Sequence, residues 1–403
     1  MQSKKAIVFL LLSIFLVGYS FISTRKQLKH DNDFPVYYDA ARAVINSENI
    51  YLVHSKMYVY PPTLAIMLVP LTLFSLEIST WIWYWMNIAA LFGVFYFGLR
   101  ILPAYSEQMA NWGRIIFLTA LFSLRFIFHN MDLGQVNLVI LFLIVCSLFL
   151  LSKGKAIPAG MILSLGISVK VTPLLLLLYF IYKKEVLFSL GVCVGLFSFL
   201  LVLPSIFLGL GKNLEYLCFF YSKMIMPFSQ VRIDWLSTTN QSLLAALGRF
   251  LTDSAKGLDV NLLSLSQGGF RLAAYVLAFS YLFFLGFICR GKWRGLGTSD
   301  KVVQYSLVLI SMLLLSGISE KHHFVLLIFP YLVCFNLLFN CKANRNRLLF
   351  WVLVSFVFCS LTSDGLVGRR LSEILLSFSA ITAGVVALFV GLLPYARTEA
   401  SNA

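Results

Sequence analysis

"VLFSLGVCVGLFSFLLVLPSIFLGL", Val186 to Leu210, runs for twenty-five residues without a charged side chain, directly after Lys183, Lys184 and Glu185. A helix crossing the hydrocarbon of a bilayer takes about 20 residues, or roughly 17 to 25 with tilt, so this stretch reads as a membrane span. The same test finds apolar segments near 5–22, 78–102, 113–129, 136–152, 156–170, 172–183, 269–289, 302–317, 322–340, 346–362 and 371–394, which with 186–210 makes about twelve spans. Composition agrees. Sixty per cent of the 403 residues are hydrophobic, 12% are charged and the mean hydropathy is +0.86, whereas a soluble domain carries roughly 25% charged residues. The expectation is an all-α, polytopic integral membrane protein forming one transmembrane domain over 1–403.

Three details refine it. Lys4 and Lys5 before the apolar run Ala6–Ile22 give the N-terminus the outline of a signal peptide, but no small-residue cleavage site follows, so it reads as an uncleaved first helix. Pro173 favours a helix break between 156–170 and 172–183. The run Pro62–Leu76 is only about fifteen residues long and carries Pro62 and Pro70 just after Pro61, so it reads as re-entrant or interfacial rather than spanning.

Charge sorts the loops. With a cytoplasmic N-terminus and twelve crossings, the inner side receives sixteen cations and four acids, including "RGKWR" (Arg290–Arg294), and the remainder holds sixteen cations and thirteen acids, a split of +12 against +3. Short basic turns then share one side, as the positive-inside rule requires. The net charge of +15 is thus a topological signal, and no basic stripe with interleaved aromatics points to nucleic acid. Of the seven cysteines, five lie within apolar runs, which argues against a disulfide framework and against a zinc site.

This topology gathers the polar segments outside. They are the first loop 23–77 with "DNDFPVYYDAARAV" (Asp31–Val44), "HNMDLGQVN" (His129–Asn137), "SVKVTP" (Ser168–Pro173), the loop 211–268 with "DWLSTTNQS" (Asp234–Ser242), "SGISEKHH" (Ser316–His323) and "SDGLVGRR" (Ser363–Arg370). The aromatics, methionines and charges of 211–268 suggest interfacial helices. No internal repeat suggests the duplicated halves of a transporter.

Each polar residue has a structural and a functional reading. Asp39 falls within a helix beginning near Tyr37 and suits a structural role. Asp33 stands just ahead, either as a cap or as a carboxylate able to accept a proton from a substrate at the interface. Tyr37, Tyr38, Tyr58 and Tyr60 are either belt residues or a platform for a sugar ring. Lys170 ends an apolar helix, where an ammonium is costly and either snorkels or meets an anion. His322 and His323 are adjacent, so on a helix they point about 100° apart and do not jointly ligate one metal. Arg369 and Arg370 bind either lipid headgroups or a substrate phosphate, and Arg125, inside an apolar run, faces protein. Gln135, Asn137, Asn240, Gln241 and Glu320 complete the polar candidates. One carboxylate among several cations suits sugar transfer from a lipid-linked sugar phosphate. A phosphate leaving group needs no general acid, whereas glycoside hydrolysis uses two carboxyl groups.

In order along the chain, "DFPVYYDAA" (Asp33–Ala41), "YPP" (Tyr60–Pro62), "LGQVN" (Leu133–Asn137), "AGMILSLGISVKVTP" (Ala159–Pro173), "NQSL" (Asn240–Leu243) and "SGISEKHH" resemble glycosyltransferase family 87. These are GT-C-type membrane enzymes dependent on polyprenyl-phosphate sugars and include bacterial alpha-1,2-mannosyltransferases. The resemblance covers about Asp31 to Pro330. It implies a GT-C fold in the inner (plasma) membrane, an extracytoplasmic active site, and an inverting mechanism without a nucleotide or an obligatory metal. It also implies a polyprenyl-phosphate sugar as donor, mannose being the sugar suggested, and a lipid-linked or envelope glycan as acceptor. The family's acid corresponds to Asp33, its buried lysine to Lys170 and its paired histidines to His322 and His323. Where family members often carry Ser-Trp before the histidines, this chain has Glu320-Lys321. The rival readings are a transporter or flippase of lipid-linked saccharides, and an O-antigen ligase or polymerase using a diphosphate-linked donor.

Overall fold

The computed structural model describes residues 2–29, 32–103, 108–226, 236–253 and 258–396. Asp31, Glu107, Asp234, Trp235, Arg397 and Glu399, which entered the sequence reading, lie outside the described residues. Helices make up the described chain, with no strand among the described residues. The first half contains α1 (Gln2–Gln27), α2 (Asp33–Ile45), α3 (Pro62–Leu68), α4 (Leu76–Ile101), α5 (Gln108–Leu133), α6 (Asn137–Ser152), α7 (Ala156–Val169) and α8 (Leu174–Tyr182). Then come α9 (Val186–Leu196), joined through a π-helical turn to α10 (Leu203–Leu208), followed by α11 (Leu210–Phe220), α12 (Leu243–Leu251), α13 (Gln267–Ile288) and α14 (Thr298–Leu314). A 3-10 segment, Lys321–Leu327, leads into α15 (Ile328–Asn340), and α16 (Arg345–Phe356), α17 (Asp364–Val367), α18 (Arg369–Ser377) and α19 (Ala380–Leu392) close the chain.

Among the described residues, Leu76–Ile101, Asn111–Leu133, Val186–Leu208, Gln267–Ile288 and Lys321–Asn340 are long and apolar enough to cross a membrane. The region from α18 to Tyr395 passes the same test only as a pair of helices bent by 59°. That gives five such helices, or six, rather than about twelve. The difference has physical causes. The apolar run 371–394 is interrupted at Ser379, whose φ is 61°. The break expected at Pro173 is present, since α7 stops at Val169, Lys170 is extended (φ −144°) and Pro173 caps α8. It leaves α8 nine residues long, about 14 Å against a hydrocarbon core of about 30 Å. Lys170 precedes α8 and Lys183 follows it, so the helix has a lysine beyond each end.

Two polar clusters are chemically distinct. At one, Lys183 Nζ donates to the carbonyls of Cys289 and Gly291, Arg294 pairs with Glu185 at 3.6 Å, and Gln304 Nε2 donates to the Ala396 carbonyl at 3.3 Å. At the other, α1 is tied to the end of α5 by Tyr19 and Lys26 on Asp132 (2.7 and 2.6 Å), and Gln241 N donates to Ser319 O at 2.7 Å.

The segment after Tyr60 is too short to span. Pro62–Leu68 is α-helical and Val69–Leu73 is a 3-10 turn, about 20 Å in all. Both its flanks are fastened to α2, since Tyr37 and Tyr60 share a hydroxyl contact of 2.9 Å and Tyr38 Oη donates to Phe74 O at 2.7 Å. Pro61 and Pro62 start the helix where a missing N–H costs nothing.

α7 and α9 pack backbone to backbone. A Cβ at Gly160 would strike the Phe188 carbonyl, and one at Gly191 the Ile157 carbonyl. Without a hydrophobic driving force between helices in lipid, such small-residue seams supply the packing. This seam sets the depth at which α7 delivers Lys170.

Candidate active site

α2 begins at Asp33, with Asn32 extended before it, so the carboxylate lies in the first turn, where the helix dipole favours negative charge. Asp33 is buried, at 9% exposure. Its Oδ1 accepts from Lys56 Nζ at 2.7 Å and its Oδ2 from Gln135 Nε2 at 2.5 Å.

Gln135 is placed by the turn between α5 and α6. Gly134 has φ +68°, and a Cβ there would meet Phe34, so the turn requires glycine. Trp83 Nε1 donates to the Gly134 carbonyl at 2.7 Å, and Asn130 Nδ2 to that of Gln135 at 3.2 Å. "LGQVN" is thus a reversal that presents two amides, at Gln135 and at Asn137, the first residue of α6.

These amides connect the carboxylate to a cation. Gln135 Oε1 accepts from Asn137 Nδ2, Tyr37 Oη and Tyr60 Oη, each at 3.3 Å. Asn137 Oδ1 accepts from Lys170 Nζ at 2.6 Å. The polar chain therefore runs Lys56, Asp33, Gln135, Asn137, Lys170, with an ammonium at each end. The Lys170 ammonium also sits 5.9 Å from the Tyr60 ring centroid. Burial pulls Lys170 down to about 7, while Asp33 and Glu320 act in the opposite direction. Burial is also the main reason that Tyr37 and Tyr60 stand above the ordinary tyrosine range, so both are neutral hydroxyls.

The histidines enter from the 3-10 segment. Asn137 Nδ2 donates to the His322 carbonyl at 3.3 Å. His322 is buried, and its Nδ1, 3.9 Å from Glu320 Oε2, has no hydrogen-bond partner among the described residues. The rings of His322 and His323 stand 4.2 Å apart, with that of His129 5.9 Å from His322. His323 is committed to structure, because its Nδ1 accepts from Glu320 N at 2.9 Å and closes a capping box. The two rings therefore have different duties. His323→Ala is expected to cost about 0.5–2 kcal/mol of stability as a lost cap. His322→Ala should leave the capping box intact and reduce turnover about 10²-fold. Thermal unfolding and turnover of both variants check this, and equal defects would remove His322 from the site.

Several sequence candidates do other work. Tyr38 points to Phe74 rather than to Asp33. Asn240 Oδ1 accepts from Ser242 N and Ser319 N, its Nδ2 donates to Gly317 O at 2.8 Å, and Gln241 Nε2 donates to Thr238 O and Leu376 O. These two side chains brace the loop that carries Glu320, and Gln241 Oε1 has no hydrogen-bond partner among the described residues. Thr239 Oγ1 reaches Glu320 Oε1 at 3.4 Å. Arg369 and Arg370 are exposed; Arg369 engages Glu373 one turn on, and neither touches Asp33, Lys170 or the histidines. Arg125 faces protein, donating to Cys359 O at 2.8 Å and Thr362 Oγ1 at 2.9 Å. Lys56 escaped the sequence reading. In "VHSKMY" it looks like any solvated loop lysine, and only the fold puts it on Asp33.

Residues 58–286, more than half of the chain, match the profile of glycosyltransferase family 87. The chain belongs to glycosyltransferase family 87. Over 172 residues it is 26% identical to the polyprenol-phosphate-mannose-dependent alpha-(1-2)-phosphatidylinositol mannoside mannosyltransferase of Mycobacterium tuberculosis, covering 38% of this chain and 40% of that relative. The alignment thus spans less than half of the relative's length. No solved structure matches. The family match takes in Tyr60, Gln135, Asn137 and Lys170, whereas Asp33 and Glu320–His323 lie outside 58–286 and join the site through the hydrogen bonds above. It is narrower than the resemblance from Asp31 to Pro330 read in the motifs.

Proposed function

We propose that this chain transfers one sugar from a polyprenyl-phosphate donor to a lipid-linked or glycan acceptor, with inversion and with Asp33 as general base. The observation that carries the proposal is the continuous link from Asp33 through Gln135 and Asn137 to Lys170. A proton acceptor and a phosphate-sized cation are held in one frame, as a displacement with a base on one side and an anionic leaving group on the other requires. Both oxygens of Asp33 accept hydrogen bonds, which suits taking a proton rather than giving one.

In this mechanism the acceptor hydroxyl replaces Lys56 at Asp33 Oδ1 and gives it the proton. The oxygen attacks the anomeric carbon from the face opposite the phosphate. The carbon–oxygen bond to polyprenyl phosphate breaks, and its electron pair leaves on the phosphate, stabilised by Lys170 and by the single ring N–H of His322. Tyr37 and Tyr60 keep Gln135 in register and border the space for the sugar. Mannose is the first sugar to test, since the relative is named as dependent on polyprenol-phosphate-mannose.

The proposal places the site on the extracytoplasmic side of a plasma-membrane GT-C unit over 1–403, with about twelve crossings once the shorter helices are counted. In it, 23–77 is the first outer loop and 211–268 the second large one. Its support is the basic cluster of Lys183, Arg290, Lys292 and Arg294 beyond the C-terminal end of α8, the helix whose N-terminal end follows Lys170. Labelling of Lys56→Cys from outside and of Lys292→Cys from inside is expected, and the reverse pattern would move the site to the cytoplasm. Purified protein given a panel of polyprenyl-phosphate and polyprenyl-diphosphate sugars with envelope lipids should glycosylate a lipid only from a monophosphate donor. Transfer from diphosphate donors alone would assign it to the ligase class, and movement of intact donor across vesicles without transfer to the transporter class.

A further inference from the structure

On the membrane-facing side, α8 and α13 do not close against each other. Between them lies a groove of about 550 Å³, bordered by Leu178 and Tyr182 of α8 and by Phe283, Gly286 and Phe287 of α13, with Val308 of α14 beneath. That volume lies within the usual range for small-molecule sites, about 300–1,000 Å³. Gly286 makes the notch: nothing lies within 4 Å of where its Cβ would be. Tyr182 Oη donates across the opening to the Gly286 carbonyl at 3.0 Å.

The groove ends at that basic cluster. Arg290 borders it, with its guanidinium 4.8 Å from the Phe287 ring centroid. Over 183–185 and 289–301 the chain carries six cations, Lys183, Lys184, Arg290, Lys292, Arg294 and Lys301, against the two acids Glu185 and Asp300. Both acids are buried, whereas Lys184, Arg290, Lys292 and Arg294 are exposed. An apolar slot between helices with an exposed cationic mouth is the chemistry that recognises an anionic lipid head with its chain attached.

We propose that this groove holds one anionic phospholipid, its acyl chain over Gly286 between α8 and α13 and its phosphate at Arg290. The site is separate from the sugar-transfer centre and does not depend on it. A polyprenyl phosphate held at Lys170 would have its phosphate before the N-terminal end of α8, whereas Arg290 borders the groove beside Tyr182 at the C-terminal end, so the two phosphates occupy different places.

The test is native mass spectrometry of protein taken from nanodiscs of phosphatidylcholine with added phosphatidylglycerol. Wild type is expected to retain one phosphatidylglycerol in preference to phosphatidylcholine, and inorganic phosphate should not displace it. Gly286→Leu, whose Cβ would have no protein atom within 4 Å and whose side chain occupies the notch, should abolish retention, and Arg290→Gln should weaken it about fivefold. Gly113→Leu, at another glycine with open space around it, is the fold control and should retain lipid like wild type. Unchanged retention in Gly286→Leu, equal retention of phosphatidylcholine, or displacement by polyprenyl phosphate would overturn the proposal.

Discussion

Asp33→Asn is expected to lower sugar transfer by about 10²- to 10⁴-fold, the usual contribution of a positioned general base, or about 2.7–5.5 kcal/mol of barrier. The substitution keeps size and one acceptor oxygen, so Lys56 retains a partner at 2.7 Å in the unliganded protein. What it removes is the ability to hold the acceptor's proton. Because Asn brings an N–H toward Gln135 Nε2, the Gln135 amide must turn over, exchanging which of its atoms meets Tyr37 and Tyr60. Those hydroxyls can accept as well as donate, but Asn137 Nδ2, a donor to Gln135 Oε1 in the wild type, then faces an amide nitrogen, so that one link is lost; Asn137 Oδ1 still accepts from Lys170, and donor binding at Lys170 should remain within a few-fold of wild type. Turnover measured together with donor affinity separates the outcomes. Near-normal turnover would make Asp33 a first-turn acid and leave the proton to another group, whereas loss of donor binding in parallel with turnover would make it a bracket for the amides.

The same residues show what a sequence can disclose about such a site. Asp33, Gln135, Asn137, Lys170 and His322 were legible because each is polar where an apolar helix begins or ends, and a membrane makes that placement expensive. Lys56 was illegible because it lies in a loop where lysine carries no such cost. Asn240 and Gln241 showed only their polarity, since a buried amide serves a backbone carbonyl as well as a sugar hydroxyl, and the bonds to Ser319, Gly317 and Leu376 come from the fold. The exposure of Arg369 and Arg370 was not legible for a related reason, as cation content does not say which way a short helix turns its face. For the fold, hydropathy located Val186–Leu208 and the proline break before α8. It could not find the bend at Ser379, because apolar composition continues through it. Nor could it give the depth of Lys170, which is set by the glycine seam between α7 and α9.

Lys170→Met tests the leaving-group side. The thioether roughly preserves the apolar stem and deletes the ammonium, leaving Asn137 Oδ1 without its 2.6 Å donor. Loss of one preorganised donor to a developing oxyanion costs about 10²–10³ in rate, and here the same charge also holds the donor phosphate before reaction. Apparent donor KM should therefore rise while kcat falls, with thermal unfolding unchanged. The pH profile supplies an independent check. Burial holds Lys170 at about 7 in the free protein, so raising the pH above that value removes the ammonium, and kcat/KM for the donor should fall about tenfold per unit, since this parameter reports the free enzyme. A bound phosphate favours the charged amine, so kcat should hold to higher pH. Lys170→Arg keeps its charge throughout, and its kcat/KM should lack the alkaline fall whatever its absolute rate. If the fall persists in Lys170→Arg, another group titrates, and unchanged donor kinetics in Lys170→Met would place the phosphate elsewhere.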